Sequence, residues 1–264
     1  MEQFSLQYAA GTDPGLKRGH NEDCYAAEPE VGLWLVADGV GGHASGEVAS
    51  DIVRSTMLEQ VAAGATLEAA IRHSHEAVLQ QSSERASTAG MGSTVVALML
   101  RGRDYEVAWV GDSRAYLFLD DLTRMTTDHN RVTELLDRDV ITPEQAVSHP
   151  QRHVLTQSLG ISPEIELEPG NVRGTLQPGE QILLCSDGLT EELSDGAIAE
   201  LMVANESPRA QVDALIRGAL KGGGKDNVTV VTVGDYPVDG RDSTTAAPND
   251  LETTQDSQLT SRDK

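Results

Sequence analysis

The run Leu35-Val36-Ala37-Asp38-Gly39-Val40-Gly41-Gly42-His43 ends an aliphatic stretch in an acid and follows it with a glycine-rich turn. An apolar run of this kind reads as a strand with little exposure, so it delivers Asp38 to a fixed place on a rigid scaffold. A carboxylate taken out of water needs a partner, because its charged form loses hydration there. Gly39 lets the backbone fold back, so that its carbonyl oxygen joins the Asp38 carboxylate on one cation; hard cations take oxygen ligands. Standing alone, an Asp-Gly pair is more often a simple turn.

The pattern recurs, and recurrence changes the odds. Leu183-Leu184-Cys185-Ser186-Asp187-Gly188 is a second aliphatic run ending in Asp-Gly, and Val107-Ala108-Trp109-Val110-Gly111-Asp112-Ser113-Arg114 delivers Asp112 in the same way. Gly222-Gly223-Gly224-Lys225-Asp226-Asn227 places a further acid just before the aliphatic run that starts at Val228. Carboxylates that converge at strand ends repel one another unless cations neutralise them, which predicts bound metal. Histidine and cysteine do not stand at matching positions, so Mn2+ or Mg2+ is favoured over zinc. Arg18-Gly19-His20-Asn21-Glu22-Asp23 adds a different tool. An arginine fork grips two phosphate oxygens, and Glu22 and Asp23 can accept hydrogen bonds from metal-bound waters, although the hexapeptide alone reads as a charged surface loop.

Two nucleotide-binding readings compete for the same glycines. Gly39-Val40-Gly41-Gly42-His43-Ala44 satisfies the GxGxxA dinucleotide fingerprint, with Glu59 twenty residues on. Glu59 falls inside a helical pattern, not at the end of a second strand, so an oxidoreductase ranks well below the metal reading. The glycines before Lys225 lack phosphate-loop spacing.

Strands are expected at 32–37, 93–100, 106–110, 115–119, 181–185 and 228–233. Val48, Ile52, Val53, Met57, Leu58 and Val61 follow helical period, as do Leu67, Ala70, Ile71, Ala77 and Val78. Shorter helices follow Asp128, Thr142, Asp195 and Pro208, the first three capped by those residues. Consecutive strands without intervening helices predict antiparallel sheets.

A formal charge of −22, from 42 acidic and 20 basic residues, excludes nucleic acid and anionic membranes as partners and concentrates divalent cations. Cys24 and Cys185 form no CxxC pair, which argues against a disulfide framework or zinc site and fits a reducing cytoplasm. With no export signal and no membrane-length apolar run, the chain is expected to be soluble and cytoplasmic. Its 264 residues suit one domain over 1–236, followed by a disordered acidic tail over 237–264 that is poor in large apolar residues.

Taken in order, the Arg18 to Asp23 hexapeptide, the Asp38-Gly39 turn, Gly92-Ser93-Thr94, Gly111-Asp112-Ser113-Arg114, Ser186-Asp187-Gly188 and Gly224-Lys225-Asp226-Asn227-Val228-Thr229 resemble the motifs of the type 2C (PPM) Ser/Thr protein phosphatases in their compact bacterial form. The resemblance runs over residues 10–234, and residues 141–152 resemble the flap beside the active site of bacterial members. It implies an α+β fold, a four-layer αββα sandwich of two antiparallel sheets flanked by helices. It further implies that Asp38 bridges two divalent cations, that the Gly39 carbonyl joins the second, and that Asp187 and Asp226 complete the first. Asp112, with Asp187, would take a third and weaker ion, assisted by Glu191. Arg18 would hold the substrate phosphate, while Glu22, Asp23 and Asn227 support the ligands from behind. A water shared by the cations would then attack phosphorus in line, without a covalent phosphoenzyme. The implied partners are phosphorylated proteins and a cognate eukaryote-like Ser/Thr kinase in a bacterium, with the chain a monomer. The alternative is a phosphoprotein-binding pseudophosphatase that keeps the fold without turnover. Many eukaryotic relatives carry, directly after Asp-Gly, a histidine proposed as general acid. Val40 stands there in this chain, so a metal-bound water is the candidate proton donor, and His43 reads as a turn residue. His73 and His75 read as surface residues, His149 and His153 as flap residues without an assigned role, and Cys185 as core.

Overall fold

The computed structural model describes residues 5–41, 45–84, 90–162, 164 and 166–236. The expected tail over 237–264, and His43, lie outside them. The chain opens with strands β1 (Leu6–Asp13), β2 (Asp23–Glu28) and β3 (Leu33–Val40), then helices α1 (Ser45–Ala62) and α2 (Leu67–Glu84). Next come β4 (Gly92–Ser93), β5 (Val95–Arg101), β6 (Asp104–Val110), β7 (Arg114–Phe118) and β8 (Leu122–Arg124). Short helices α3 (Arg131–Asp137) and α4 (Pro143–Val147) precede β9 (Gly170–Thr175) and β10 (Gln181–Cys185). Helices α5 (Asp187–Thr190), α6 (Asp195–Val203) and α7 (Pro208–Gly222) lead into β11 (Val228–Asp235).

Two sheets result, ordered β1-β11-β10-β7-β8 and β2-β3-β5-β6-β9, with β4 extending the pairing of β3. Every strand pairing within them is antiparallel, as the grouping of strands predicted, and this removes the dinucleotide-binding reading. Alternation along the central strands divides each between two cores. Trp34, Val36, Val96 and Leu98 from one sheet meet Ile182, Leu184, Val231 and Val233 from the other. The opposite faces carry Leu33, Leu35 and Ala37, which pack under Val53 and Met57 of α1 and Ile71 of α2. Leu183, Cys185 and Val230 pack under Ile198 of α6 and Val212 and Leu215 of α7. The layers are therefore helix, sheet, sheet, helix, as the family resemblance implied. The central strands read as unbroken aliphatic runs because both of their faces are covered. Cys24 and Cys185 are both free thiols, Cys185 buried in the core as expected. No helix among the described residues is long and apolar enough to cross a membrane.

The sequence pattern missed β1, β2, β8 and β9, and all four are peripheral or short. β9, Gly-Asn-Val-Arg-Gly-Thr, alternates half-buried with exposed residues at a sheet edge and carries little apolar signal. The single strand expected over 93–100 is broken at Thr94. There the chain turns to straddle β3: the Thr94 N–H donates to the Asp38 carbonyl (2.8 Å) and Thr94 Oγ1 accepts from the Asp38 N–H (3.1 Å). Thr142 caps α4 as expected, in a capping box with Gln145. The caps assigned to Asp128 and Asp195 belong instead to Asn130 and Ser194. Asp128 is drawn away because Arg114 (2.8 Å) and Arg124 both grip its buried carboxylate, while Asp195 accepts from the Tyr116 hydroxyl (3.1 Å).

His73 is exposed as expected, but His75 is half-buried, and its Nδ1 accepts from the Gly160 N–H at 3.1 Å. Burial lowers the His75 pKa from its ordinary 6.5, because the folded state favours the neutral ring that can accept this bond. His129, lowered for the same reason, accepts from the Gly111 N–H at 3.3 Å. The unfolded chain therefore binds these protons more readily, so stability is full above the ordinary histidine pKa and falls as pH drops below it. Melting between about pH 7.5 and about pH 5.5 is expected to show a smaller loss in His75→Gln than in wild type, by roughly 2–4 °C if one hydrogen bond of about 1 kcal/mol is at stake. Identical pH profiles would contradict this role for His75.

Candidate metal centre and active site

Antiparallel pairing brings one end of each sheet to the same mouth. Asp38 lies across from Asp23 in the β2–β3 ladder, whose open end is continued by the Val36–Val96 and Val95–Val110 pairs. In the other sheet Cys185 pairs with both Val230 and Arg114. Asp187, just beyond β10, Asp226, just before β11, and Asp112, in the turn before β7, therefore gather there. Each acid stands at a strand end or one residue into a helix, where the backbone has little freedom.

The electrostatics record this crowding. Burial, then the charges of Asp23, Asp187, Asp112 and Asp226, push the Asp38 carboxyl well above the ordinary carboxylate range. Asp187 is raised by burial and then by Asp112, Glu191, Asp226 and Asp23. Asp112 rises to about 7, through burial first and then through Asp128 and Glu191. Asp23 rises to about 6 through burial, opposed by hydrogen bonds from Ser186 and Thr229 and reinforced by Asp226 and Glu22. Glu22 is raised by burial, and Asp226 adds to it. Two enclosed carboxylate oxygens, Asp23 Oδ1 and Asp187 Oδ1, have no hydrogen-bond partner among the described residues. Orphaned carboxylate oxygens inside a like-charged cluster are costly, and hard divalent cations with oxygen ligands are the counter-charges that such a donor set fits.

Arg18 stands at the rim, its side chain 53% exposed, with Nη2 at 2.6 Å from Asp226 Oδ2. That hydrogen bond raises its pKa, so the guanidinium is a fixed positive charge facing the acids. Behind the cluster, Asn227 donates to the Pro14 and His20 carbonyls (3.0 and 2.9 Å) and accepts from the Glu22 N–H (2.8 Å). The loop carrying Arg18 is thereby tied to the start of β11. Ser186 Oγ donates to Asp23 Oδ2 at 2.7 Å, joining the two sheets across the mouth.

The fold-back expected at Gly39 is not there. β3 runs through this residue to Val40, pairing it with Ser93. A Cβ on Gly39 would lie 2.0 Å from the Gly46 carbonyl oxygen, and one on Gly188 would lie 2.0 Å from that of Asn227. These glycines are required by close approach of neighbouring backbone, not by a left-handed conformation. The structure thus gathers Arg18, Glu22, Asp23, Asp38, Gly39, Asp112, Asp187, Glu191, Asp226 and Asn227 at one mouth. His153, without an assigned role until now, joins them: its Nδ1 is 2.5 Å from Glu191 Oε1. Only the flap position of His153 could have pointed to this contact, since no local spacing links it to Glu191.

Residues 17–215 match the protein phosphatase 2C family profile. The chain belongs to the protein phosphatase 2C family. It is 41% identical over 233 residues to the serine/threonine protein phosphatase PstP of Mycobacterium tuberculosis, covering 86% of this chain but 44% of that one. It is 32% identical over 236 residues to the serine/threonine phosphatase stp of Listeria innocua, covering 84% and 93% of the two chains. The chain thus spans under half the length of the mycobacterial relative and nearly all of the Listeria one. Among solved structures, the catalytic domain of PstP in complex with two manganese ions superposes with a TM-score of 0.78 at 36% identity, covering 88% of this chain and 99% of that one.

For a phosphatase 2C domain whose acids repel one another, chelation and mutation should act in opposite directions on stability. In excess chelator, Asp187→Asn is expected to melt above wild type, by roughly 2–4 °C per kcal/mol of repulsion relieved. Mn2+ at about 100 times its dissociation constant should stabilise wild type by about 2.7 kcal/mol and the variant by much less. Differential scanning calorimetry reads both; a variant that melts below wild type in chelator would refute the repulsion.

Proposed function

We propose that this chain hydrolyses phosphoserine and phosphothreonine on proteins in a reaction that requires Mn2+ or Mg2+. The observation that carries this is a crowd of enclosed, mutually repelling carboxylates with an arginine at its rim. In this reading Asp38, Asp187, Asp226 and the Gly39 carbonyl would hold two divalent cations, with Asp38 shared between them. Asp112 and Asp187 would hold a third, weaker ion. Such cations supply Lewis-acid charge and an activated water nucleophile near neutral pH. The chain supplies the rest. Arg18 presents a planar fork that grips two oxygens of the substrate phosphate and turns phosphorus toward the acids. Its bond to Asp226 holds the fork at the mouth, and charge that builds on the phosphate oxygens in the transition state faces that fixed cation. Glu22 and Asp23 accept hydrogen bonds from ordered water, and Asn227 keeps the Arg18 loop in register with Asp226.

The catalytic unit in this reading is 1–236, monomeric and cytoplasmic, working against a eukaryote-like Ser/Thr kinase in a bacterium. The bacterial Ser/Thr phosphatases among its relatives support the hydrolytic part of this reading. A pseudophosphatase is disfavoured because the acidic set is complete. Purified protein with Mn2+ is expected to hydrolyse an aryl phosphate and a phosphothreonine peptide. Asp38→Asn and Asp226→Asn should each lower kcat by about 10³-fold or more, the equivalent of several kcal/mol of lost charge stabilisation. Arg18→Ala should raise KM for the peptide as well as lower kcat. Wild-type protein that binds Mn2+ yet turns over neither substrate would overturn the assignment in favour of a binding protein.

A further inference from the structure

Just past α5, the side chain of Glu192 is only 4% exposed. Its carboxylate lies against the turn of Gly222, Gly223 and Gly224: a Cβ on Gly222 would lie 3.0 Å from Oε2, and one on Gly223 would lie 3.1 Å from it. Oε1 accepts from the Lys225 N–H (3.3 Å) and faces Lys225 Nζ (3.2 Å). An enclosed carboxylate needs such partners, because it has given up its hydration. Four residues earlier, Gly188 of α5 meets the far end of the same turn, where a Cβ would lie 3.5 Å from Asp226 Cβ. The chain keeps winding between these contacts, since the Glu192 N–H donates to the Leu189 carbonyl at 3.3 Å. Two contacts on one face thus seat the helix that starts at Asp187 on the turn that ends at Asp226. The Arg18 loop is tied to this turn as well, through the Leu16 N–H, which donates to the Gly224 carbonyl at 2.7 Å.

We infer that Glu192 is a positioning residue that sets the separation of Asp187 and Asp226 by holding α5 against the glycine turn. This rests on the reading of those two acids as ligands of one cation. Asp187 and Asp226 repel each other, so elements free to slide would carry them apart. Three successive glycines make the turn the softest part of this frame, because residues without a Cβ restrict the backbone least. Glu192 fills the space that the glycines leave and fixes the turn ahead of Asp226, while Asn227 fixes it behind, through the Pro14 and His20 carbonyls. The Lys225 ammonium balances the Glu192 charge, so the brace adds no net charge beside the acidic cluster. What matters for position is then the reach of an acceptor oxygen to the Lys225 N–H, not the charge on it. A brace of this kind raises affinity for the cation by holding its ligands in place beforehand. Once cation saturates the site, its own attraction for the two acids replaces the brace.

Wild type, Glu192→Gln, Glu192→Asp and Glu192→Ala separate reach from charge. Gln keeps a full-length acceptor without charge, Asp keeps the charge one methylene short, and Ala removes both. Mn2+ affinity is measured by isothermal titration calorimetry on substrate-free protein, folding by melting in chelator, and kcat on a phosphothreonine peptide at saturating Mn2+. Glu192→Gln should bind Mn2+ within about threefold of wild type, whereas Glu192→Asp and Glu192→Ala should bind it about tenfold or more weakly. Saturating Mn2+ should bring kcat in each variant back near that of wild type. A residue that only stabilises the fold would lower the melting temperature and leave the Mn2+ affinity of the folded protein unchanged. If Glu192→Ala does not fold, the comparison of Gln with Asp decides alone. Equal Mn2+ affinity in wild type and Glu192→Asp, Gln binding as weakly as Asp, or a kcat in Glu192→Asp that saturating Mn2+ leaves well below wild type would overturn the brace and leave the metal centre standing. Wild type that binds no Mn2+ would overturn both.

Discussion

Repulsion among the carboxylates at one end of the sandwich is the constraint on which the rest of this structure depends. Burial removes the water that would screen these groups; beyond it, the charges of Asp23, Asp187, Asp112 and Asp226 push up Asp38, and those of Asp112, Glu191, Asp226 and Asp23 push up Asp187. A flexible chain would relax by letting these side chains splay into solvent. This chain cannot, because every acid is anchored by backbone on both sides. Asp38 sits in a ladder between β2 and the Thr94 clamp, Asp187 begins a helix, and Asp226 follows a glycine turn braced by Asn227. Free energy that could have stabilised the fold is held instead as a preorganised field, ready for positive charge.

Such a field requires stability from elsewhere, and the layer arrangement provides it. The three apolar cores share their central strands, so each strand residue is buried whichever way it points. Trp34, fully enclosed between the sheets, is the kind of residue whose truncation costs about 3–5 kcal/mol. The close approaches at Gly39 and Gly188 serve the same end. By admitting neighbouring backbone at contact distance, they let α1 and the Asp226 loop press directly on the strand ends that carry the acids.

How much of this was legible in the sequence follows from the kind of signal each feature leaves. Central strands announce themselves because burial on both faces writes a continuous aliphatic run; edge strands such as β9 are half-solvated and leave almost none. The acids were legible because each follows or precedes such a run, and their convergence could be inferred from mutual repulsion. The competing roles of Asp128 were not, since its capture by Arg114 and Arg124 is a tertiary event that overrides a good local capping preference. The close packing at Gly39 was not legible, because a single sequence cannot show that Gly46 lies against it. His153 and Glu191 are joined only by folding, and neither carries a local pattern that names the other.

The same charge balance shapes how a substrate reaches the mouth. A chain of formal charge −22 repels a phosphate dianion at long range, although at physiological salt this repulsion fades beyond about 8 Å. Arg18, paired with Asp226 and half in solvent, attracts only at short range, and cations bound by the acids would add to it at equally short range. Long-range steering therefore does little to select a phosphate, and selection falls to contacts made at the rim. The rim is built from the loop that carries Arg18 and from the flap, whose exposed Val140, Val147 and Val154 stand near the segment that returns to His153. On the proposed function, the phosphate would be met by the rigid strand ends, and discrimination among phosphoproteins would fall to the surface segments around the mouth, among the described residues the Arg18 loop and the flap.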